Sequence, residues 1–165
     1  MWTIIKFDYN KIGLLKQDLQ KKLGDDFKIY IPKFIIEKFE GNKKKIKEHN
    51  LLDDYLFCFS NSLQDPNIQN SLLFTRGLKH FFNGTKNYQK EISKFIDKCK
   101  ESEDQKGYIT KRFFDLYINS KYEFISGPFG SQIFEIINLQ KNRIDILLNN
   151  IKVKINRDQY SFRPV

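Results

Sequence analysis

Few residues in this chain have the type and spacing that catalysis needs. Its only two histidines, His49 and His80, lie in segments without metal-ligand spacing, and His80 sits among apolar neighbours that suggest a structural role. Asp53-Asp54 is a carboxylate pair, but adjacent residues on a strand point to opposite faces and cannot converge on one substrate. At the start of a strand they read as solvated turn residues. Cys58 and Cys99 are too few for a disulfide framework and form no Cys-x-x-Cys pair; Cys58, inside an apolar run, reads as a buried thiol. The sequence has no glycine-rich phosphate loop, nucleophile elbow or His-Glu-x-x-His pair, so neither an enzyme nor a cofactor is expected. Binding chemistry remains. Around Thr75 to Lys86, aromatic and basic residues interleave, supplying apolar anchors beside phosphate-facing charge. Of Phe81 and Phe82, at least one is expected to pack in a core.

The elements that must position these residues come from 165 residues, enough for one medium domain or two small ones. Sixteen Phe and eight Tyr can fill a core. Lys and Arg total 29 against 20 Asp and Glu, and the net charge of +9 favours a polyanionic partner. Two cysteines without a framework suit a reducing cytoplasm. Lys6 and Asp8 interrupt any secretory pattern at the start, and no apolar run approaches the ~20 residues that cross a bilayer. A soluble cytoplasmic monomer is the expectation.

Trp2 to Phe7 reads as a strand with both faces covered. Ile12, Leu15, Leu19 and Leu23 recur at helical spacing between Lys11 and Leu23, with Gly24 as the stop. Phe27 to Ile36 reads as a strand that Pro32 confines to an edge or bend. Gly41 to Asn50, with Lys43, Lys44, Lys45 and Lys47, reads as a solvated hairpin tip. Leu51 to Phe59 predicts a strong strand, Asp65-Pro66-Asn67 a helix start, and Tyr88 to Lys100 a helix burying Ile92, Phe95, Ile96 and Cys99. Short strands then follow over 121–126, 131–139, 143–148, 151–155 and 159–163. Gly127-Pro128 makes a sharp turn, and Asn149-Asn150 suits the positive φ of a two-residue hairpin. Ile144, Ile146 and Leu148 share one face with Ile151, Val153 and Ile155 across that turn. The fold class is α+β: an N-terminal α/β sandwich-type domain over 1–99, a charged linker over 100–120, and a small five-stranded C-terminal β-barrel over 121–165.

Taken in order, these pieces resemble the NusG family of transcription elongation factors, and most closely its RfaH-like branch. That family joins an N-terminal NGN domain to a C-terminal KOW barrel. Trp2-Thr3-Ile4 is similar to its opening strand, and Ile29-Tyr30-Ile31-Pro32-Lys33 to its second. Leu51-Leu52-Asp53-Asp54-Tyr55-Leu56-Phe57 resembles its Leu-Phe-Pro-Gly/Asn-Tyr-Leu-Phe pattern, with Asp53-Asp54 in place of Pro-Gly or Pro-Asn. Thr75-Arg76-Gly77-Leu78-Lys79-His80-Phe81 resembles the RfaH-type Thr-Arg-Gly-Val-x-His-Phe, and Gly127-Pro128-Phe129 the first turn of the KOW barrel. Asn119-Ser120 stands where a Gly-Asp normally precedes that barrel, and Ile68-Gln69-Asn70 where RfaH carries the His-Thr-Thr that touches the polymerase gate loop.

The resemblance implies that Leu52 and Tyr55, with Trp2 nearby and Phe81, bind the clamp helices of the largest RNA polymerase subunit. Arg76 then matches an arginine that contacts the non-template DNA strand, with Lys79, Lys11 and Lys16 as further DNA candidates. It implies processivity or antitermination, with the KOW domain recruiting a ribosomal protein or a termination factor. An alternative is a KOW-containing translation-related RNA-binding protein, although Glu123, Glu135, Asp145 and Asp158 offset the cations of the C-terminal segment. RfaH-like proteins also raise a helical form of the KOW segment; the β-branched, period-two alternation of Arg143 to Ile155 predicts strands instead.

Overall fold

The computed structural model describes residues 1–40, 43–110, 113–157 and 159–165. In chain order the strands are β1 Trp2–Phe7, β2 Lys28–Tyr30, β3 Lys33–Glu40, β4 Lys43–Asn50, β5 Tyr55–Phe59, β6 Leu78–Phe81, β7 Lys121–Phe124, β8 Ile133–Leu139, β9 Arg143–Leu148, β10 Ile151–Asn156 and β11 Phe162–Pro164. The α-helices are α1 Ile12–Leu23, α2 Pro66–Leu72 and α3 Gln89–Glu101. No described helix is long and apolar enough to cross a membrane. The α+β class is therefore observed, and the chain divides into two compact units. One comprises Met1–Pro32 and Asn50–Glu101; the other comprises Lys33–His49 and Ser102–Val165.

The first unit is an antiparallel sheet in the order β2-β5-β1-β6. Alternation along β1 places Thr3, Ile5 and Phe7 on one face, where Ile5 and Phe7 pack with Leu15, Leu19 and Leu23 of α1 and with Leu56, Cys58, Leu63 and Leu72. The other face carries Phe57 against Ile92 and Ile96 of α3, with Trp2, Ile4, Tyr30 and Leu52 half-buried around them. Helices thus cover the sheet on both sides, which is why Trp2–Phe7 carries apolar residues on both faces, Trp2 and Ile4 on one and Ile5 and Phe7 on the other. Capping is local and legible: Gly24 ends α1 at φ +81°, and the Asp65 side chain accepts the Asn67 N–H ahead of Pro66.

Three boundaries differ from the sequence expectation. Ile31-Pro32 splits the anticipated Phe27–Ile36 strand into β2 and β3, since proline offers no N–H to the ladder. Leu51 to Asp54 form a turn instead of the start of β5, with Asp53 at φ +48°. The charged excursion is a strand: β4 pairs with β3 in a two-stranded sheet, and its Lys43, Lys45 and Lys47 are exposed. Polar residues on both faces of β4 hid its period. Gly41 and Asn42, where that excursion was expected to begin, lie outside the described residues, as does Asp158.

The second unit therefore contains the β3–β4 ribbon as well as the C-terminal strands, unlike the expected division at 99. Lys33 donates to Glu48 at 2.6 Å and the Tyr108 hydroxyl donates to the same carboxylate at 2.8 Å. These bonds, Lys33 first, hold the Glu48 carboxyl below its ordinary pKa. Part of the anticipated linker is also ordered. Asp104 accepts the N–H groups of Lys106 and Tyr108, and the Ile109 N–H donates to the Lys33 carbonyl at 2.7 Å, with Ile109 itself buried.

β7 to β11 form one antiparallel sheet in the order β10-β9-β8-β7-β11. All five strands supply one core of Tyr122, Phe124, Phe134, Ile136, Ile144, Ile146, Leu148, Ile155 and Phe162. Residues from both edge strands meet in that core, so the sheet curls around it. Among the described residues no ladder joins β10 to β11, which stand at the two ends of the strand order. Asn149 and Asn150 adopt φ +48° and +65°, and Asn119 takes φ +61° before β7. Gly127 sits at φ +80° with the Tyr160 ring 2.8 Å from where a Cβ would stand. Ile151, expected on the buried face, is 66% exposed because it opens the hairpin at the sheet edge.

Candidate binding surface on the first unit

β5, β1 and β6 build the surface. Pairing sets Ile4 opposite Phe57 and Lys6 opposite Tyr55, so all four side chains share the α3 face of the sheet. α3 covers Phe57 but leaves the Tyr55 end open. There Ile4, Leu51, Leu52, Asp53, Tyr55 and Phe82 line a depression of about 390 Å³. Phe82, 51% exposed, meets the Tyr55 ring edge-on at 6.4 Å, and His80 makes a second edge-on contact with that ring at 6.4 Å. Lys6 lies over the Tyr55 ring at 5.3 Å. Asp54 sits at the rim, 3.6 Å from Lys6 and 3.3 Å from Lys79. The result is an exposed aromatic and aliphatic patch bordered by charge.

Of the sequence-derived patch residues, Leu52 and Tyr55 are brought together here. Trp2 lies on the same sheet face but toward α3, where it packs at the edge of the Phe57 cluster and meets Phe59 at 5.3 Å. Its backbone is held at both ends: the Trp2 N–H donates to Gln89 Oε1 at 2.9 Å, and Gln89 Nε2 donates to the Trp2 carbonyl at 2.8 Å. Phe81 is placed elsewhere. It packs against the Ile5 and Phe7 core on the opposite face, and Phe82 takes the patch position. Alternation could not have revealed this, because Leu78 and Phe81 are three residues apart yet both face that core. A register shift between Lys6 and Phe7 in the β1–β6 ladder makes this possible. His80, read from sequence as structural, is an exposed strand residue.

The cationic candidates divide into separate places. Arg76 grips Asp18 with two bonds, 2.8 Å from Nε and 2.7 Å from Nη2, while its side chain stays 59% exposed. The pair moves both groups away from ordinary values, with the Asp18 carboxyl lowered and the Arg76 guanidinium raised. Lys11 lies 3.7 Å from Asp8 and adjoins Arg76 through Gly77. Lys79 belongs to the rim of the Tyr55 patch. Lys16 lines a different open depression, with Gln17, Gln20, Lys21, Phe27 and Ile29. Among the described residues, no three His, Cys, Asp or Glu side chains gather to hold a metal ion.

Gly77 fixes the Arg76 segment against α1. Its carbonyl accepts the Asp8 N–H at 2.8 Å, and at φ +83° a Cβ would stand 2.9 Å from Lys11 Cβ and 3.0 Å from its carbonyl oxygen. Gly77→Ala is expected to destabilise the first unit by about 1–3 kcal/mol. Gly13→Ala, inside α1 with nothing within 4 Å of its Cβ position, should be neutral or stabilising. Paired urea titrations of the two variants check this contrast.

No protein-family model matches the sequence, and no match was found among curated proteins. A chain in the crystal structure of the MjSpt4:Spt5 complex is 13% identical, with a TM-score of 0.29 covering 100% of this chain and 98% of that one. A chain in a structure of Thermotoga maritima NusG, described for its domain interaction, is 10% identical, with a TM-score of 0.34 over 99% of this chain and 96% of that one.

Proposed function

We propose that the protein is a transcription elongation factor of the NusG and RfaH kind, docking on RNA polymerase through the Leu52, Tyr55 and Phe82 patch. The carrying observation is an apolar depression at the open end of an otherwise helix-covered sheet face, formed by the segment that resembles the family's Leu-Phe-Pro-Gly/Asn-Tyr-Leu-Phe pattern. An apolar anchor of this kind suits the clamp helices of the largest subunit. Cations on the Arg76 and Lys11 side of the unit then meet the non-template DNA strand, and Lys79 borders the patch. Binding, not catalysis, is the activity: it holds the polymerase clamp closed and promotes processivity or antitermination. The curled C-terminal sheet recruits a second partner, a ribosomal protein or termination factor.

Capture of cognate RNA polymerase by the tagged protein tests the reading. Tyr55→Ala should weaken capture about thirtyfold, the scale of an interface hot spot, and Leu52→Asp should abolish it. In vitro transcription should show shorter pauses with the wild type and no effect with Leu52→Asp. Absence of any association between wild type and polymerase would overturn it.

A further inference from the structure

Phe74 is the most exposed large apolar residue described, at 91%, and the residue before it, Leu73, is 47% exposed. They occupy the tip of a turn closed by the Thr75 N–H donating to the Leu72 carbonyl at 2.9 Å. Both ends of that turn are anchored, with Leu72 at 0% and Thr75 at 4% exposure. The aromatic ring is therefore presented to solvent on a rigid mount.

Two cations neighbour the mount and are held in place. Lys22 Nζ donates to the Ser71 carbonyl at 3.4 Å and to Thr75 Oγ1 at 3.3 Å, and Arg76, two residues after Phe74, is fixed by Asp18, one turn before Lys22 on α1. A guanidinium has five N–H donors and an ammonium three, so both groups retain donors beyond these bonds. An anchored aromatic face beside pre-positioned cations is complementary to one polyanion in particular. Bases in a duplex already stack on one another, whereas an unpaired base offers its face to an aromatic ring while phosphates meet the charges.

We propose that Phe74 is a base-stacking platform and that it makes this surface selective for single-stranded nucleic acid, with Lys22 and Arg76 receiving the phosphates. This rests on the DNA-contact part of the function proposed above and extends it to a residue and a strandedness. Fluorescence anisotropy of the full chain with short oligo(dT), oligo(rU) and a duplex of equal length tests it without polymerase. Wild type should bind single strands more tightly than duplex. Phe74→Ala should weaken single-strand binding between about fivefold and a hundredfold, with the salt slope and duplex binding unchanged. Lys22→Ala should instead lower the salt slope by about 0.7. Phe74→Trp should retain affinity, and its emission should be quenched as bases stack. The dT and rU arms assign the strand to DNA or RNA.

Equal single-strand affinity of wild type and Phe74→Ala would overturn the inference. So would Phe74-dependent self-association in sedimentation without oligonucleotide binding, which would make the turn a protein contact. Polymerase capture through Leu52 and Tyr55 is read separately and should be intact in Phe74→Ala, so failure of either proposal is distinguishable from failure of the other.

Discussion

Phe124→Ala is expected to cost the C-terminal unit about 3–5 kcal/mol. The side chain is 1% exposed and contacts four other rings: Phe134 at 4.3 Å, Phe129 at 5.6 Å, Tyr160 at 5.6 Å and Phe162 at 6.4 Å. These neighbours come from β8, β11 and the two turns beside them, so no single element can move inward to fill the space. The truncation also loses the ring-ring attraction itself, edge-to-face with Tyr160 and Phe162 and tilted with Phe129 and Phe134, worth about 1 kcal/mol per pair beyond area. Since a small domain is stable by only about 5–15 kcal/mol, a large share of the unit's margin would go. Urea unfolding followed by near-ultraviolet circular dichroism measures the loss. Tyr117→Ala, which removes an aromatic ring that is 62% exposed, should shift the midpoint within about 0.5 kcal/mol.

Raising the pH should destabilise the first unit through Cys58. Burial pushes this thiol from an ordinary value of 9.0 to about 12, because a thiolate between β1 and β2 would have no water around it. A group whose folded pKa is raised gives its full stabilisation below the unfolded value and loses it as pH climbs to the folded value. Between pH 9 and 12 the unfolded chain has released the proton and the native chain retains it. At 1.36 kcal/mol per unit, about 4 kcal/mol disappears across that window. Urea titrations at pH 8 and pH 11 should show this steep loss in wild type and a shallower one in Cys58→Ala, the difference isolating the thiol. A slope identical in both proteins would show that the thiol does not titrate in this way. The native thiol should also resist alkylation at pH 8 and react on unfolding.

Much of the first unit's organisation is legible in its sequence because burial follows simple periods there. Leu15, Leu19 and Leu23 share a helix face, Ile92, Ile96 and Cys99 share another, and Gly24 and Asp65-Pro66 mark ends by local chemistry. The candidate patch was half legible. Leu52 and Tyr55 stood out as apolar residues in the segment that carries the resemblance, whereas Phe81 and Phe82 were exchanged by a bulge that leaves no trace in the local pattern. Pairing of Arg76 with Asp18 joins residues 58 positions apart, and no local period encodes such a contact. β4 was hidden for a different reason: Lys43 to Asn50 is polar at every position except Ile46, so it has no hydrophobic alternation to read.

The Asn149-Asn150 turn also bears on the order in which the sheet is assembled. β9 and β10 pair over six positions, Ile151 with Leu148 through Asn156 with Arg143, across a link of only two residues already suited to it. Closing so short a loop costs little entropy, and hairpins of this kind form in about 1–10 μs. The β7–β11 ladder instead joins Phe124 to Phe162, at opposite ends of the module. During synthesis the β9–β10 hairpin can be complete while β7 still waits, its outer edge unpaired and Phe124 without the Phe162 ring. β11, the last of these five strands to be made, is then the one that covers the long-exposed β7 edge and completes the rings around Phe124.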